Sequence, residues 1–316
     1  MGRGCAPALA LVVAGCGFHL PGGSASPDGT PPADAPGDAP PGAACWAHWL
    51  AHDVAFENIH AISGVGSSAV DRDPYISHDQ LTLFFSSERI NGGANADVYV
   101  ATRASITDEF AAPQLAATGL NSTEYETRVT LTADELTAVV SSARTGSLGG
   151  VDLFLGTRAQ TSQDFTVMSA APFVQINNVD PQHDPELSSD GSRIYFAPPG
   201  GPTQHIVVSG LRSGIYDPPV DVPGVNDQLP NADPAVSPDE RVMAFSSQRA
   251  GSAGSDIYYA TRADATATFE PARRLDTLDS SASDGDPALT ADGCHIYFAS
   301  DRQGNNFEIF TADVVP

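Results

Sequence analysis

The chain has 316 residues, 41% of them hydrophobic, and sets 39 acidic against 15 basic residues for a formal net charge of −24. That imbalance repels phosphate backbones and anionic headgroups, which excludes nucleic acid as a natural partner. The length allows one large core or two smaller ones. The fixed cations are all arginine, which we read as coding bias rather than a selected chemistry.

Residues 1–15, MGRGCAPALALVVAG, carry one Arg, an apolar run from Ala8 to Val13, and small residues. The run is too short to span a bilayer permanently and reads as a signal peptide. Val13, Ala14, Gly15 and Cys16 resemble the lipobox of bacterial lipoproteins. The resemblance implies cleavage before Cys16 and acylation of its thiol. Gly17 follows, with no aspartate to suggest inner-membrane retention, so the expected location is the outer membrane, on its periplasmic or its outer side. Residues 16–44, rich in Pro, Gly and Ala, offer little to bury and read as a disordered tether. With Cys5 removed and Cys16 lipidated, Cys45 and Cys294 remain as a candidate disulfide in an oxidising compartment.

Residues 45–55 hold both tryptophans in CWAHWLAHDV and are expected to form a short capping helix. His48 and His52 are spaced like helical metal ligands, but the Glu of H-E-x-x-H is missing, so a packed cap is the reading.

From residue 56 the chain repeats itself. Five copies begin DPYISHDQLTLFFSSER at Asp73, RVTLTADELTAVVSSAR at Arg128, DPELSSDGSRIYFAPPG at Asp184, DPAVSPDERVMAFSSQR at Asp233 and DPALTADGCHIYFASDR at Asp286. Their starts lie 55, 56, 49 and 53 residues apart. Each holds an apolar segment, an Asp-led turn, an alternating run, a polar loop and a second alternating run such as DVYVATR or DIYYATR. Period-two alternation between turn residues means strands in hairpins. FAAPQL, YDPPVDV and FEPARRL suggest a fourth, outer strand. Four antiparallel strands per unit of about fifty residues make a β-propeller blade.

The pattern D-P-x-[ILV]-[ST]-x-D-[GE], followed by an apolar strand, S-x-R and D-[IVL]-[YF], resembles the propeller repeat of TolB and related proteins. The likeness implies an all-β fold over residues 56–316 and an association with envelope complexes. TolB itself has a sixth blade and an N-terminal domain, and neither has a counterpart here. The fifth copy ends after FEIFTADV without its outer strand, while FENIHAI, from Phe56 to Ile62, stands unpaired before the first. A strand from one terminus completing the blade of the other removes two exposed edges. The expectation is therefore a five-bladed β-propeller closed by an N-terminal outer strand. This closure would bring Cys45 towards Cys294.

Two sets of polar residues recur. An Arg after the second strand accompanies an acid opening the third: Arg89 with Asp97, Arg144 with Asp152, Arg249 with Asp256, Arg302 with Glu308. These read as exposed ion pairs between neighbouring strands, each worth about 0–1 kcal/mol. The repeat also places Asp73, Arg128, Asp184, Asp233 and Asp286 in a ring at one mouth of the central channel, with Asp71, Glu126 and Asp284 adding negative charge. The ring reads either as a site for a cation or cationic ligand, or as turn-forming carboxylates that accept backbone N–H groups.

No calcium loop, G-x-S-x-G elbow, Walker loop or paired-cysteine zinc spacing occurs. No catalytic residue or metal ligand is therefore assigned and no cofactor is called for, calcium at the ring being the one cation considered. The functional expectation is a monomeric, non-catalytic, lipid-anchored module of the bacterial cell envelope. It would bind a protein or envelope polymer at a propeller face, and it does not bind nucleic acid. The alternative is an envelope glycosidase or glycan-binding propeller using channel-mouth acids.

Overall fold

The computed structural model describes Met1 and residues 41–90, 95–198, 203–249, 254–304 and 306–315. The lipobox at Val13–Cys16, the signal peptide and the tether up to residue 40 lie outside the described residues, as does most of blade three's APPGG stretch. A helix α1 (Pro41–Ala51) opens the described chain, starting four residues before the expected cap. Strand β1 (Phe56–Ala61) follows.

Blade one contains β2 (Asp71–Ile76), β3 (Thr82–Ser87), β4 (Asp97–Thr102) and β5 (Gln114–Leu115). Blade two contains β6 (Glu126–Leu131), β7 (Thr137–Ser142), β8 (Asp152–Thr157) and β9 (Met168–Ser169). Blade three contains β10 (Glu186–Leu187), β11 (Arg193–Phe196), β12 (Val207–Arg212), β13 (Ile215–Tyr216) and β14 (Val220–Asp221), the last two both pairing with β12. Blade four contains β15 (Asn231–Val236), β16 (Val242–Ser247), β17 (Asp256–Thr261) and β18 (Arg273–Arg274). Blade five contains β19 (Asp284–Leu289), β20 (His295–Ser300) and β21 (Glu308–Val314), and β1 completes it by pairing antiparallel with β21. Five antiparallel sheets, one of them sealed by the N-terminal strand, are the propeller expected from the repeat.

The first turn of each blade builds itself. In blade one Ser77 Oγ donates to Asp79 Oδ1 at 2.6 Å, while Leu81 N donates to that same oxygen at 2.9 Å. The pattern returns at Thr132–Asp134, Ser188–Asp190, Ser237–Asp239 and Thr290–Asp292. The next sites, Gln80, Glu135, Gly191, Glu240 and Gly293, have φ between 56° and 70°, which is why the repeat writes D-[GE] or close to it there.

The D-P dipeptide has a different cause. In blades one, four and five the ladder between first and second strands slips across it: between Arg72 and Tyr75, Ala232 and Ala235, and Gly285 and Ala288. Each slip is a β-bulge with the Asp in the left-handed region, at φ 54° for Asp73, 53° for Asp233 and 52° for Asp286. Asp is one of the few side chains that tolerates this conformation, and Pro has no N–H to lose from the ladder.

The blades bury their faces against each other. Ile257 and Tyr259 of blade four meet Ile296, Phe298 and Phe310 of blade five, with Trp49 of α1 and Phe56 of β1 added. Four similar clusters fill the other junctions. Full burial of each large apolar side chain contributes roughly 1.5–3 kcal/mol. No helix among the described residues is long and apolar enough to cross a membrane.

Candidate ligand-binding site

Strands β2, β6, β15 and β19, and the segment leading into β10, carry the five ring residues to one mouth of the channel. Asp233 lies within hydrogen-bonding reach of both Asp184 and Asp286, and Asp73 N donates to Asp286 Oδ2 at 3.5 Å. Asp73 Oδ2 accepts from Ser86 Oγ at 2.6 Å. The carboxylates thus face one another and the neighbouring strand. The bulge selects a residue that tolerates a left-handed backbone, and the Asp286 carboxylate also accepts a backbone N–H, that of Asp73.

Crowding decides their protonation. Burial pushes Asp184 and Asp286 well above the usual carboxylate range, reinforced by the charges of Asp233 and Asp73. Asp73 is also raised by burial, although the Ser86 hydroxyl and the Arg128 guanidinium pull it back.

Arg128 does not share the aspartates' left-handed backbone, and its side chain is fully buried. Its Nη2 donates to Pro234 O at 3.1 Å and Pro287 O at 3.0 Å, across the axis in blades four and five, and lies 3.8 Å from Glu186 Oε2. Two residues after the ring position, blades four and five carry the small side chains Ala235 and Ala288. Burial lowers the Arg128 pKa, but Glu186, Asp233, Asp73 and Asp184 outweigh it and the net shift is upward. Glu186 itself is pushed up to about 7 by burial, against the pull of Arg128. Arg128 is a charged plug beneath the carboxylates rather than a member of their layer.

A cavity of about 560 Å³ opens above the ring, lined by Asp233, Asp286, Asp284, Arg72, Gln204 and Gln248 among others. Its position follows from the residue preceding each ring residue: Arg72, Thr127 and His183 on one side, Ala232 and Gly285 on the other. A Cβ at Gly285 would sit 3.0 Å from Ser246 Oγ and 3.8 Å from Asp233 Oδ2. Arg72 is held by stacking, its guanidinium carbon 3.4 Å from the centroid of the Phe307 ring. His183 is half-buried and kept below its ordinary pKa by desolvation, in spite of Asp73 and Asp233. Burial, then Asp73 and Glu88, push the nearby Tyr125 up to about 12. Arg72, His183 and Glu186 were not singled out from the sequence; their signal was the variation between copies at positions one before and two after the ring.

The acids adjoining the ring are not free charge. Arg89 pairs with Asp71 at 2.9 Å, Arg144 with Glu126 at 3.6 Å, and Arg302 with Asp284 at 2.6 Å. The expected partners Asp97, Asp152 and Glu308 are thereby corrected: each Arg reaches the acid that opens the first strand of its own blade. In blade four that place is Asn231, and Arg249 turns to Asp227 at 2.9 Å instead of Asp256. Asp71, Glu126 and Asp284 are almost completely buried, so these pairs are not the exposed bridges expected.

Cys45 and Cys294 are joined, with Cα atoms 5.1 Å apart. His48 Nδ1 contacts Asp53 and His52 Nε2 contacts Glu270, each at 3.0 Å. Each therefore has a carboxylate partner, His48 within the cap and His52 in blade four.

No protein-family model matches the sequence, and no curated protein sequence does. Solved structures do match. The α-L-arabinofuranosidase of Podospora anserina, in complex with cellotriose, is 12% identical with a TM-score of 0.53, over 81% of this chain and 95% of that one. A family 117 glycoside hydrolase from Zobellia galactanivorans is 10% identical at 0.53, over 83% and 90%. TolB of Acinetobacter baumannii is 14% identical at 0.47, over 79% of this chain, which spans 55% of that protein's length. The chain is a five-bladed β-propeller. At these identities the likeness to solved structures is one of fold alone.

Proposed function

We propose that this propeller is a non-catalytic, lipid-anchored binding module of the bacterial cell envelope, which takes a cationic segment of a protein or envelope polymer at its acidic axial mouth. The observation that carries the reading is the cavity above Asp233 and Asp286, open on the side of Ala232 and Gly285. Its walls present the carboxyl groups of Asp233, Asp284 and Asp286 beside the Arg72 guanidinium. The net charge of −24 would steer a basic partner towards such a mouth. The anchor rests on the lipobox sequence ending in Cys16.

The glycosidase reading uses the same acids, and two neighbours of this fold are glycoside hydrolases. That chemistry needs two carboxyls roughly 5–9.5 Å apart. The test is fluorescence anisotropy with a labelled oligo-arginine peptide, alongside a hydrolysis screen of envelope glycans. Binding that weakens with salt and drops about tenfold or more in Asp233→Asn supports the module. Glycan hydrolysis abolished by that substitution, with no peptide binding, sinks it.

A further inference from the structure

Seven residues before the ring residue of the next blade, the linker from the preceding blade makes a tight turn. After blades one, two and three the residue there is Asn121, Asn177 and Asn226. Each amide clamps the residue following the start of the third strand or its equivalent. Val98 N donates to Asn121 Oδ1 at 2.8 Å and Asn121 Nδ2 donates to Val98 O at 2.9 Å. Asn177 does the same to Leu153 at 3.1 and 2.9 Å, and Asn226 to Ile206 at 2.8 Å both ways. After blade four the same turn holds Asp279. Its N donates to Leu275 O at 3.2 Å, as Asn177 N does to Phe173 O at 2.8 Å, so the backbone position is equivalent. A carboxylate has no N–H and cannot supply the donor half of the clamp.

Asp279 meets two other acids instead. One carboxylate oxygen each from Asp256, Asp279 and Asp284 lie within 4.8 Å of one another. Asp256 and Asp284 are 1% exposed. Arg274 Nη1 stands 3.4 Å from Asp256 Oδ2 and 3.0 Å from Asp279 Oδ2, and Arg302 Nη2 stands 2.6 Å from Asp284 Oδ1. Arg274 Nε also stands 2.8 Å from Asp276 Oδ1, so carboxylates outnumber the two guanidiniums at the junction. Asp256 Oδ1 is buried and has no hydrogen-bond partner. A buried acceptor left in that state costs about 1–3 kcal/mol, and more when charged.

We propose that Asp256, Asp279 and Asp284 form a site for one hard divalent cation, calcium first, at the junction of blades four and five. Carboxylate oxygens are the donors that calcium and magnesium prefer, and softer metals would look for nitrogen or sulfur. Ser280 Oγ, bonded to Asp284 Oδ2 at 2.8 Å, adds a nearby oxygen. Asp152 in blade two also has an unpartnered Oδ1, but Asn177 and Gln182 stand where Asp279 and Asp284 would be, so no cation is expected there.

The decisive variant is Asp279→Asn, which installs the residue that three other junctions already use and so should fold. Tm and calorimetric titration are measured on the full chain in EDTA, in calcium and in magnesium. The expected result is one calcium per chain and a rise of about 5 °C near a hundredfold excess over Kd, both lost in Asp279→Asn. That variant should melt in EDTA at or above the wild type, because the amide clamps Ile257. No response to either cation overturns the proposal, and a lower pH that stabilises the junction in its place would assign a proton shared by Asp256 and Asp279. A calcium response that survives Asp279→Asn and vanishes in Asp233→Asn also overturns it, moving the ion to the axial ring. Oligo-arginine binding is read separately in the same proteins, so failure here leaves the proposal for the mouth standing or falling by its own assay.

Discussion

At the scale of single residues, burial sets the value of each charge. Arg302 lies between Asp284 Oδ1 at 2.6 Å and Leu278 O at 2.7 Å, and its guanidinium stands over Phe298 and Phe310. Arg302→Ala would leave the buried Asp284 without its cation, so a loss of about 3 kcal/mol is expected in urea unfolding. Arg212, 80% exposed beside Asp217 at 3.2 Å, is the control; Arg212→Ala should stay within about 0.5 kcal/mol. The ring aspartates separate backbone from charge. At φ 53°, Asp233→Ala should cost about 1 kcal/mol or more, whereas Asp233→Asn tolerates that conformation and removes only the charge. Equal destabilisation by both variants would mean that the carboxylate, not the bulge, sets the preference.

At the scale of elements, the N-terminal segment is the clasp of the ring. Strand β1 supplies the outer edge of blade five, and α1 is fixed to that blade's first hairpin by Cys45–Cys294 and by the indole N–H groups of Trp46 and Trp49. These donate to Ala291 O and Gly293 O, both at 3.0 Å. The bridge spans 249 residues of sequence, so breaking it frees the unfolded chain considerably. Cys294→Ser should lower stability by about 2–4 kcal/mol in guanidinium unfolding, with reductant lowering the parent equally and the variant not at all. A reductant effect that persists in the variant would locate the sensitivity elsewhere.

At the scale of the molecule, the axis sets the pH dependence. Asp73, Asp184, Asp286 and Glu186 all have raised pKa values in the fold, with burial the first cause. For such acids the folded state binds more protons than the unfolded state, so their stabilisation is complete below the unfolded pKa and is lost as pH rises through the folded one. For Glu186 the window runs from 4.5 to about 7. Turn acids such as Asp134, Asp190 and Asp292 are depressed, chiefly by hydrogen bonds in their turns and, for Asp292, in spite of burial; their contribution is lost only as pH falls below 3.8. Tm should therefore fall between pH 4.5 and 7 at fixed ionic strength, and Glu186→Gln should flatten the upper part of that slope. A flat or rising profile would mean that the axial carboxylates are ionised throughout.

The repeat by itself determined the blade count, the hairpin turns and the closure by Phe56–Ala61, because these depend on local alternation, turn chemistry and the need to hide strand edges. Its D-P dipeptides also marked the ring, since a bulge with a left-handed residue selects Asp wherever it recurs. What an Arg would touch was not legible. Arg89, Arg144 and Arg302 are nearer in sequence to the acid opening the third strand, but the distance across the sheet chose Asp71, Glu126 and Asp284 instead. The crossing of Arg128 to Pro234 and Pro287, the opening beside Ala232 and Gly285, and the meeting of Asp256 with Asp279 and Asp284 were decided only by tertiary structure. Each joins different blades or the linkers between them, and the space available there depends on which neighbours happen to be small.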